Sequence, residues 1–205
     1  MNAVHLSTFG QDENAYIIVG LGNPGTRYHL TRHNVGFMVL NRFIDRFHLE
    51  FTRQNDLFEH RQVNLDKKTV LLVKPLTYMN LSGRAVEQLV AVTDLKTYSN
   101  LLVVCDDFNL PFGTIRLRPG GSAGGQKGLE SILETLQTNE VPRLRIGIGN
   151  EFHDPVDHVL SPFQEEELKQ LPSILDWACN AVEAFITEGI SYTMSRFNRH
   201  VLENE

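Results

Sequence analysis

The sequence predicts an α/β fold in which a mixed β-sheet carries helices on both faces. Short apolar runs alternate with stretches of helical periodicity along the chain, which is the pattern of a sheet covered by helices. A hairpin pattern within residues 58–74 adds antiparallel strands, so the sheet is mixed. The length of 205 residues suits one domain with a sizeable core, or at most two small ones.

The first half of the chain supplies a strand, a helix and a hairpin. Residues 16–20 form an apolar run that ends in glycine, which predicts a buried strand. Residues 34–47 repeat apolar side chains at helical spacing and predict the first long helix. Residues 58–64 and 69–74 predict two strands joined by a turn at residues 66–68.

The second half continues the alternation of strands and helices. A helix begins at Ser82, and further strands are predicted at residues 101–105, 114–117 and 144–148. Residues 129–136 carry the apolar spacing of a helix that lies between the last two of these strands.

The two ends of the chain differ in character. Residues 164–188 predict an amphipathic helix that Pro172 interrupts, and a last helix runs to about residue 198. Residues 1–15 are expected to form a flexible N-terminal tail, ahead of a single domain over residues 16–205.

Composition limits the classes of protein that fit. No apolar run approaches the roughly 18 residues of a membrane span, and residues 1–15 lack the basic and apolar regions of a signal peptide. The two cysteines, Cys105 and Cys179, lie in apolar segments. We therefore expect a reduced, cytoplasmic protein with no membrane association.

One basic segment stands out in an acidic chain. The net charge of −6 argues against a nucleic-acid partner. Residues 111–150, however, hold five basic and three acidic side chains, whereas residues 151–205 hold three basic and eleven acidic ones. Either the basic segment meets a polyanion, or its arginines are solvated strand ends.

Two glycine-rich motifs offer alternative functions. Residues 20–25 match the dinucleotide fingerprint G-x-G-x-x-G, but Pro24 removes an N–H and no apolar helical stripe follows. Residues 120–124 match the serine-hydrolase elbow G-x-S-x-G around Ser122, yet glycines separate that serine from the strand before it and from the helix after it. The elbow remains the second candidate, and a mobile loop with a solvated serine is its alternative.

Polar residues at element ends form the main candidate site. Asn23 follows the first strand, His33 and Asn34 precede the first long helix, Asn80 follows the 69–74 strand, and Asp106 ends the 101–105 strand. Singly, each fits a turn, a helix cap or a loop brace. Together, a carboxylate can orient a histidine that takes a proton from water, while amides position the scissile group. The sequence places no set of further metal ligands around His33 at the spacing of a known metal site, so no metal is expected.

Five segments together resemble the bacterial-type peptidyl-tRNA hydrolase family. They occur in the family's order and cover nearly the whole chain beyond residue 15: VGLGNPGTRYHLTRHNVGF (19–37), KPLTYMNLSG (74–83), CDDFNLPFGTIRLRPGGSAGGQKGLESI (105–132), RLRIGIG (143–149) and ITEGISYTMSRFN (186–198). The resemblance implies one domain with a twisted mixed sheet, no metal and no cofactor, and a monomer. The implied activity is metal-independent hydrolysis of the ester between a peptide, or an N-blocked aminoacyl group, and tRNA. Such a reaction recycles tRNA from stalled or aborted translation.

The resemblance also implies roles for single residues. His33 is the catalytic histidine that acts as general base, Asp106 is its partner, and Asn23 lies near the ester. The implied substrate contacts are Tyr28, Tyr78, Met79, Asn80, Gln126 and Lys127, and the implied contacts to tRNA phosphates are Arg118, Lys127 and Arg145.

Two positions depart from the family's pattern. Gln126 and Lys127 stand where the family commonly has His-Asn, and Asn109 replaces a frequent acid three residues after Asp106. The contact made at residues 126–127 is therefore open. Besides the serine hydrolase, the main rival is an RNA-binding protein on this fold that has lost catalysis.

Overall fold

The computed structural model describes residues 6–53 and 55–204 of the chain. Within them the backbone forms an eight-stranded sheet and six α-helices. The strands are β1 Ala15–Gly20, β2 Thr52–Arg53, β3 Phe58–Leu65, β4 Lys68–Pro75, β5 Leu101–Asp107, β6 Thr114–Arg118, β7 Arg143–Gly147 and β8 Arg199–His200. The helices are α1 Val35–Asp45, α2 Ser82–Thr93, α3 Lys127–Leu136, α4 Pro155–Leu160, α5 Glu165–Glu188 and α6 Ile190–Phe197.

The sheet has a parallel centre and antiparallel edges. Its strand order is β2-β3-β4-β1-β5-β7-β6-β8. The central strand β1 pairs in parallel with β4 and β5, and β5 pairs in parallel with β7, whereas β2, β3, β6 and β8 are antiparallel to their neighbours. The carboxyl ends of β4, β1, β5 and β7 therefore meet at one edge, where ligands collect in open α/β sheets.

Alternating side chains of the strands build a core on each face of the sheet. Ile18 points to one face, where α1, α5 and α6 cover it, and Ile17 and Val19 point to the other, which α2 and α3 cover. The predicted class, one α/β domain with a mixed sheet and helices on both faces, is confirmed.

Strand β5 reaches two residues further than the sequence predicts. Asp106 and Asp107 continue the pairing with β7, opposite Ile146 and Gly147. Asp106 thus lies inside the sheet and not in a loop after it. The elements β2, β8 and α4 were not predicted, because two to six residues give no readable periodicity.

Two expectations about the ends of the chain differ from the structure. Helix α5 is continuous through Pro172, which lies exposed, while Leu171 and Ile174 beside it are buried in the core. The packing of this 24-residue helix outweighs the hydrogen bond that the proline removes. The expected tail of residues 1–15 is packed in its second part: Leu6–Gln11 forms a 3-10 helix whose Leu6 and Phe9 are buried. Residues 1–5 lie outside the described residues.

None of the described helices combines the length and apolar character needed to cross a lipid bilayer.

The β3–β4 hairpin turns through two residues that both have left-handed backbone. Asp66 has φ 46° and Lys67 has φ 65°, and the flanking Leu65 and Lys68 are paired. Such a two-residue turn matches the right-handed twist of the strands, and it favours glycine at its second position.

We expect Lys67→Gly to raise the free energy of unfolding by roughly 0.5–1 kcal/mol, because glycine adopts this backbone without Cβ strain. Thermal denaturation measures the effect. Lys67→Ala is the control, since it removes the same side chain and keeps the strain. The prediction fails if the glycine variant melts no higher than the alanine variant.

Candidate active site

The start of α1 lies directly against the residue after β1 and against the middle of β5. A Cβ on Gly36 would sit 2.4 Å from the carbonyl oxygen of Val104 and 2.5 Å from the backbone nitrogen of Leu21. Leu21 N–H donates to Val104 O at 2.9 Å, and Phe37 N–H donates to Leu21 O at 3.2 Å. Only glycine permits this approach, which carries the 3-10 turn Arg32–Asn34, just ahead of α1, to the carboxyl edge of the sheet.

His33 and Asp106 form a buried hydrogen-bonded pair at this edge. The His33 Nδ1 atom lies 2.9 Å from Asp106 Oδ2, and the two residues are 8% and 1% exposed. Because a carboxylate only accepts hydrogen bonds, Nδ1 carries the proton and Nε2 keeps a free lone pair. Burial lowers the pKa of His33, but the charge of Asp106 and its hydrogen bond together raise that pKa above its ordinary value. The pair is therefore built to take up a proton.

Asn34 fixes the loop that carries Asn23. The Asn34 side chain accepts from Asn23 N–H at 2.8 Å and donates to Asn23 O at 3.0 Å. It makes no side-chain cap on α1, so the helix-cap alternative does not describe it. The Asn23 Oδ1 atom accepts from Met79 N–H at 2.8 Å. Since the oxygen must face that donor, the Asn23 Nδ2 group is turned away, and within the described residues it has no hydrogen-bond partner.

Gln126 also contacts this polar cluster. Its contacts show what the side chain does at the first of the two positions where the family commonly has His-Asn. Its side chain is buried, and its Nε2 atom lies 3.0 Å from Asp106 Oδ1. Its Oε1 atom accepts from Leu129 N–H at 2.6 Å and so caps α3. One of the free N–H groups at the start of α3 is thus satisfied by Gln126.

Arg32 anchors the His33 turn to the C-terminal part of the chain, and no pattern in the sequence predicted this role. Its guanidinium is bidentate to Glu167, at 2.8 Å to Oε1 and 2.7 Å to Oε2, and the arginine side chain is 4% exposed. Its backbone N–H donates to Ser161 O at 3.0 Å. The turn therefore rests on the segment between α4 and α5 as well as on the sheet.

The glycine-rich loop, residues 119–125, is tied down by its carbonyl groups. Arg143 is 1% exposed and donates to Gly121 O at 2.7 Å, and Arg145 donates to Ser122 O and to Asp107 Oδ2. Burial, and then the nearby charge of Arg145, lower the pKa of Arg143. Asn109 donates to Asp107 Oδ1 at 3.0 Å and to Gly124 O at 2.9 Å. An acid at position 109 could not make these two contacts, which accounts for the second departure.

The two alternative motifs lack the geometry that their chemistry needs. Strand β6 ends at Arg118, and α3 begins only at Lys127, so Ser122 sits in a loop and on no strand-to-helix elbow. Among the described residues the Ser122 hydroxyl makes no hydrogen bond to a histidine. Strand β1 is followed by two 3-10 turns, Thr26–Tyr28 and Arg32–Asn34, before α1 begins, so no helix opens directly after the motif to hold a dinucleotide.

The candidate tRNA-binding residues differ in their exposure and in whether an acidic side chain already pairs with their charge. Arg118 is exposed, and Lys127 is exposed but pairs with Glu130 at 2.9 Å, whereas Arg145 is held by Asp107 at 3.0 Å. Arg116 was missed: it is exposed, and its alternation with Arg118 along β6 was the available signal.

These arginines share one face of the sheet. Arg116 lies opposite Arg145, and Arg118 lies opposite Arg143, in the register of β6 and β7. Like charges in directly opposed positions are unfavourable by themselves, so this arrangement suits an anionic partner.

The remaining candidate residues surround the polar cluster. Tyr78 is 56% exposed, Asn80 is exposed, and Met79 between them is buried, with its sulfur 3.2 Å from Gln126 Nε2. Tyr28 is half-buried beneath the guanidinium of Arg27, which lies 4.4 Å from the ring centroid. Within the described ranges no three His, Cys, Asp or Glu residues are grouped so that they could hold a metal ion.

Comparison with known proteins gives one consistent family. A family model described as Peptidyl-tRNA hydrolase matches residues 17–205. A peptidyl-tRNA hydrolase of Desulforamulus reducens is 43% identical over 89% of this chain and 88% of its own length. One of Chloroflexus aggregans is 45% identical over 89% of this chain and 98% of its own. The crystal structure of peptidyl-tRNA hydrolase from Acinetobacter baumannii superposes with a TM-score of 0.83 at 31% identity, covering 92% of this chain and 96% of that one.

The hydrogen bond between His33 and Asp106 leads us to predict a raised pKa for His33, which can be measured without substrate. We expect NMR titration to place the pKa of His33 above its ordinary value of about 6.5. In Asp106→Asn the raising causes are gone and burial remains, so the pKa should fall below that value. Asp107→Asn is the control, because it removes an adjacent carboxylate that contacts Arg145 and not His33. Equal shifts in both variants would mean that the contact is not what sets the pKa.

Proposed function

This chain belongs to the peptidyl-tRNA hydrolase family, and from that premise we propose that His33 is the general base for the hydrolysis of peptidyl-tRNA, with Asp106 as its partner. The single observation that supports this most is the buried hydrogen bond of 2.9 Å between His33 Nδ1 and Asp106 Oδ2. It leaves Nε2 free to take a proton from water, and the carboxylate stabilises the imidazolium that forms.

An activated ester needs little beyond a base and support for the developing oxyanion. We assign that support to Asn23, whose Nδ2 donors remain available because Met79 N–H holds its oxygen at 2.8 Å. Amide donors fixed before the reaction stabilise developing charge without reorganisation. The two hydrogen bonds between the Asn34 side chain and the Asn23 backbone keep these donors in place.

The peptide part of the substrate has no fixed sequence, so its backbone is what the enzyme can recognise. Asn80 suits this task, because an exposed amide both donates and accepts. Tyr78, two residues before Asn80 and 56% exposed, offers aromatic surface beside it. We assign the half-buried Tyr28 to the substrate as a second aromatic contact. Met79 contributes through its backbone N–H and its buried side chain, which shape the floor next to Asn23 and Gln126.

The tRNA part is assigned to the basic face of β6 and β7. Arg118 and Lys127 are exposed, and Arg116 joins them on the same side of the sheet. Phosphate contacts by such residues release counterions and make binding dependent on salt. Arg145 adds positive charge beneath this face, while its contacts with Asp107 and Ser122 hold the glycine-rich loop.

All groups in this proposal come from one chain, and we therefore propose that a monomer is the working unit. The proposed place of action is the cytoplasm, where translation produces peptidyl-tRNA. There the reaction returns tRNA from stalled or aborted synthesis to use.

We expect His33→Ala to lower the release of free tRNA from N-acetylaminoacyl-tRNA by about 10²–10⁴-fold, the usual contribution of a general base. Binding of tRNA should persist, because the substitution removes no cation from the basic face. Ser122→Ala is the control and should keep native activity. Activity of His33→Ala within tenfold of native would contradict the assignment, and loss of activity in Ser122→Ala would favour the elbow. A native protein that binds tRNA without cleaving it would support the rival RNA-binding function.

The basic face predicts a separation of tRNA binding from chemistry. Arg118→Ala and Lys127→Ala should each raise KM for peptidyl-tRNA and reduce the salt slope of binding by roughly one unit. Cleavage of a minimal peptidyl-adenosine ester should stay unchanged, since that substrate lacks the distant phosphates.

Lys96→Ala is the matched control for this experiment. Lys96 is also an exposed lysine in a surface ion pair, with Asp94, but it lies between α2 and β5 and so belongs to neither β6 nor α3. Equal losses for both substrates, or an unchanged salt slope, would show that the basic face does not contact tRNA.

A further inference from the structure

We propose that Gln126 is a positioning residue for the hydrolysis, whose amide holds the Asp106 carboxylate in the orientation that His33 requires. The inference deepens the proposed function and rests on the roles given there to His33 and Asp106. It assigns a task to the position where this chain departs from the family's common histidine.

The hydrogen bonds form a continuous buried chain from a helix terminus to the catalytic histidine. Leu129 N–H donates to Gln126 Oε1 at 2.6 Å, and Gln126 Nε2 donates to Asp106 Oδ1 at 3.0 Å. The other oxygen of that carboxylate, Oδ2, accepts from His33 Nδ1 at 2.9 Å. Gln126 is 3% exposed and Asp106 is 1% exposed, so water competes little for these contacts.

Two independent constraints fix which way the Gln126 amide points. The backbone N–H of Leu129 can only donate, so the oxygen of the amide must face it. The carboxylate of Asp106 can only accept, so the NH₂ group must face that side. A flipped amide would break both contacts at once, which leaves a single orientation.

The consequence for Asp106 is that each of its oxygens has a partner in a fixed direction. With Oδ1 held, the carboxyl group cannot rotate about its terminal bond, and Oδ2 stays directed at His33 Nδ1. Without the Nε2 donor, the carboxylate would keep one buried oxygen unpaired and would turn toward any other donor or water. His33 would then lose the partner that sets its tautomer and stabilises its protonated form.

The Gln126 amide holds the Asp106 carboxylate without changing its own protonation state. A neutral histidine also offers one donor and one acceptor, but its protonation removes the acceptor that Leu129 N–H needs. Gln126 keeps both contacts at every pH. The titratable groups facing this point are Asp106 from β5 and, beyond it, His33, whereas Lys127 and Glu130 on α3 pair with each other at the surface.

Two substitutions separate the support of Asp106 from the capping of α3. Gln126→Met has similar volume and loses both contacts, and we expect kcat to fall roughly tenfold with little change in KM, the effect of one lost hydrogen bond to a charged group. Gln126→Glu keeps an oxygen for Leu129 N–H and replaces the donor with a second carboxyl group. Gln170→Met, at an exposed position of α5, is the control for the replacement itself.

The pH dependence of Gln126→Glu is the decisive readout. The protonated glutamic acid can donate to Asp106 as the amide does, but its ionised form places two carboxylates side by side. The ratio of its kcat to that of the native enzyme should therefore approach one at acid pH and fall roughly tenfold as pH rises and the acid ionises. A role in capping alone would leave this ratio near one at every pH.

The outcomes are distinct. A ratio for Gln126→Glu that does not change with pH overturns the inference, and so does a folded Gln126→Met enzyme with native kcat. If Gln126→Met does not fold, Gln126→Glu still decides. An active His33→Ala enzyme would instead remove the proposed function itself, whereas an inactive one with fully active Gln126 variants removes only the inference.

Discussion

The site depends on one close contact between backbones, where the start of α1 packs against the end of β1 and the middle of β5. Gly36 has no room for a Cβ there, because backbone atoms of Val104 and Leu21 lie where that atom would be. This contact sets the height of the turn that carries His33 above the sheet. It also brings Asn34, one residue later, to the backbone of Asn23. The two halves of the proposed chemistry, base and oxyanion support, therefore share one steric constraint.

Around that contact, the buried polar groups are arranged so that few are left unsatisfied. Asp106 has partners on both oxygens, Gln126 uses both ends of its amide, and Asn34 pairs with both backbone groups of Asn23. An unpaired polar group in such a place is costly, and a connected set of paired ones is rigid. Arg143 follows the same principle in another form, since backbone carbonyls satisfy its buried guanidinium.

The fold and the family could be predicted from the sequence wherever apolar periodicity or the order of motifs carries a signal. The longer strands and helices, the mixed sheet and the family were predictable, because alternating apolar runs and five ordered motifs each carry a local signal. The site residues were predictable only as a set of element ends. What Gln126 and Asn109 contact was not, because their partners lie 20 residues away in the chain at Asp106 and 15 residues away at Gly124. Arg32 was missed for the same reason: its partner Glu167 is 135 residues away, and a buried ion pair at that distance leaves no local pattern.

That long-range ion pair has a consequence for how the protein comes into being. During its own synthesis this chain is itself a peptidyl-tRNA, and the ribosome releases it from the N-terminus onward. The turn that carries His33 is made early, but its anchor at Glu167 is synthesised only 135 residues after Arg32, in a helix that covers one face of the sheet. Contacts so distant in sequence are also slow to form. The proposed catalytic geometry is therefore completed late, long after the His33 turn itself has been synthesised.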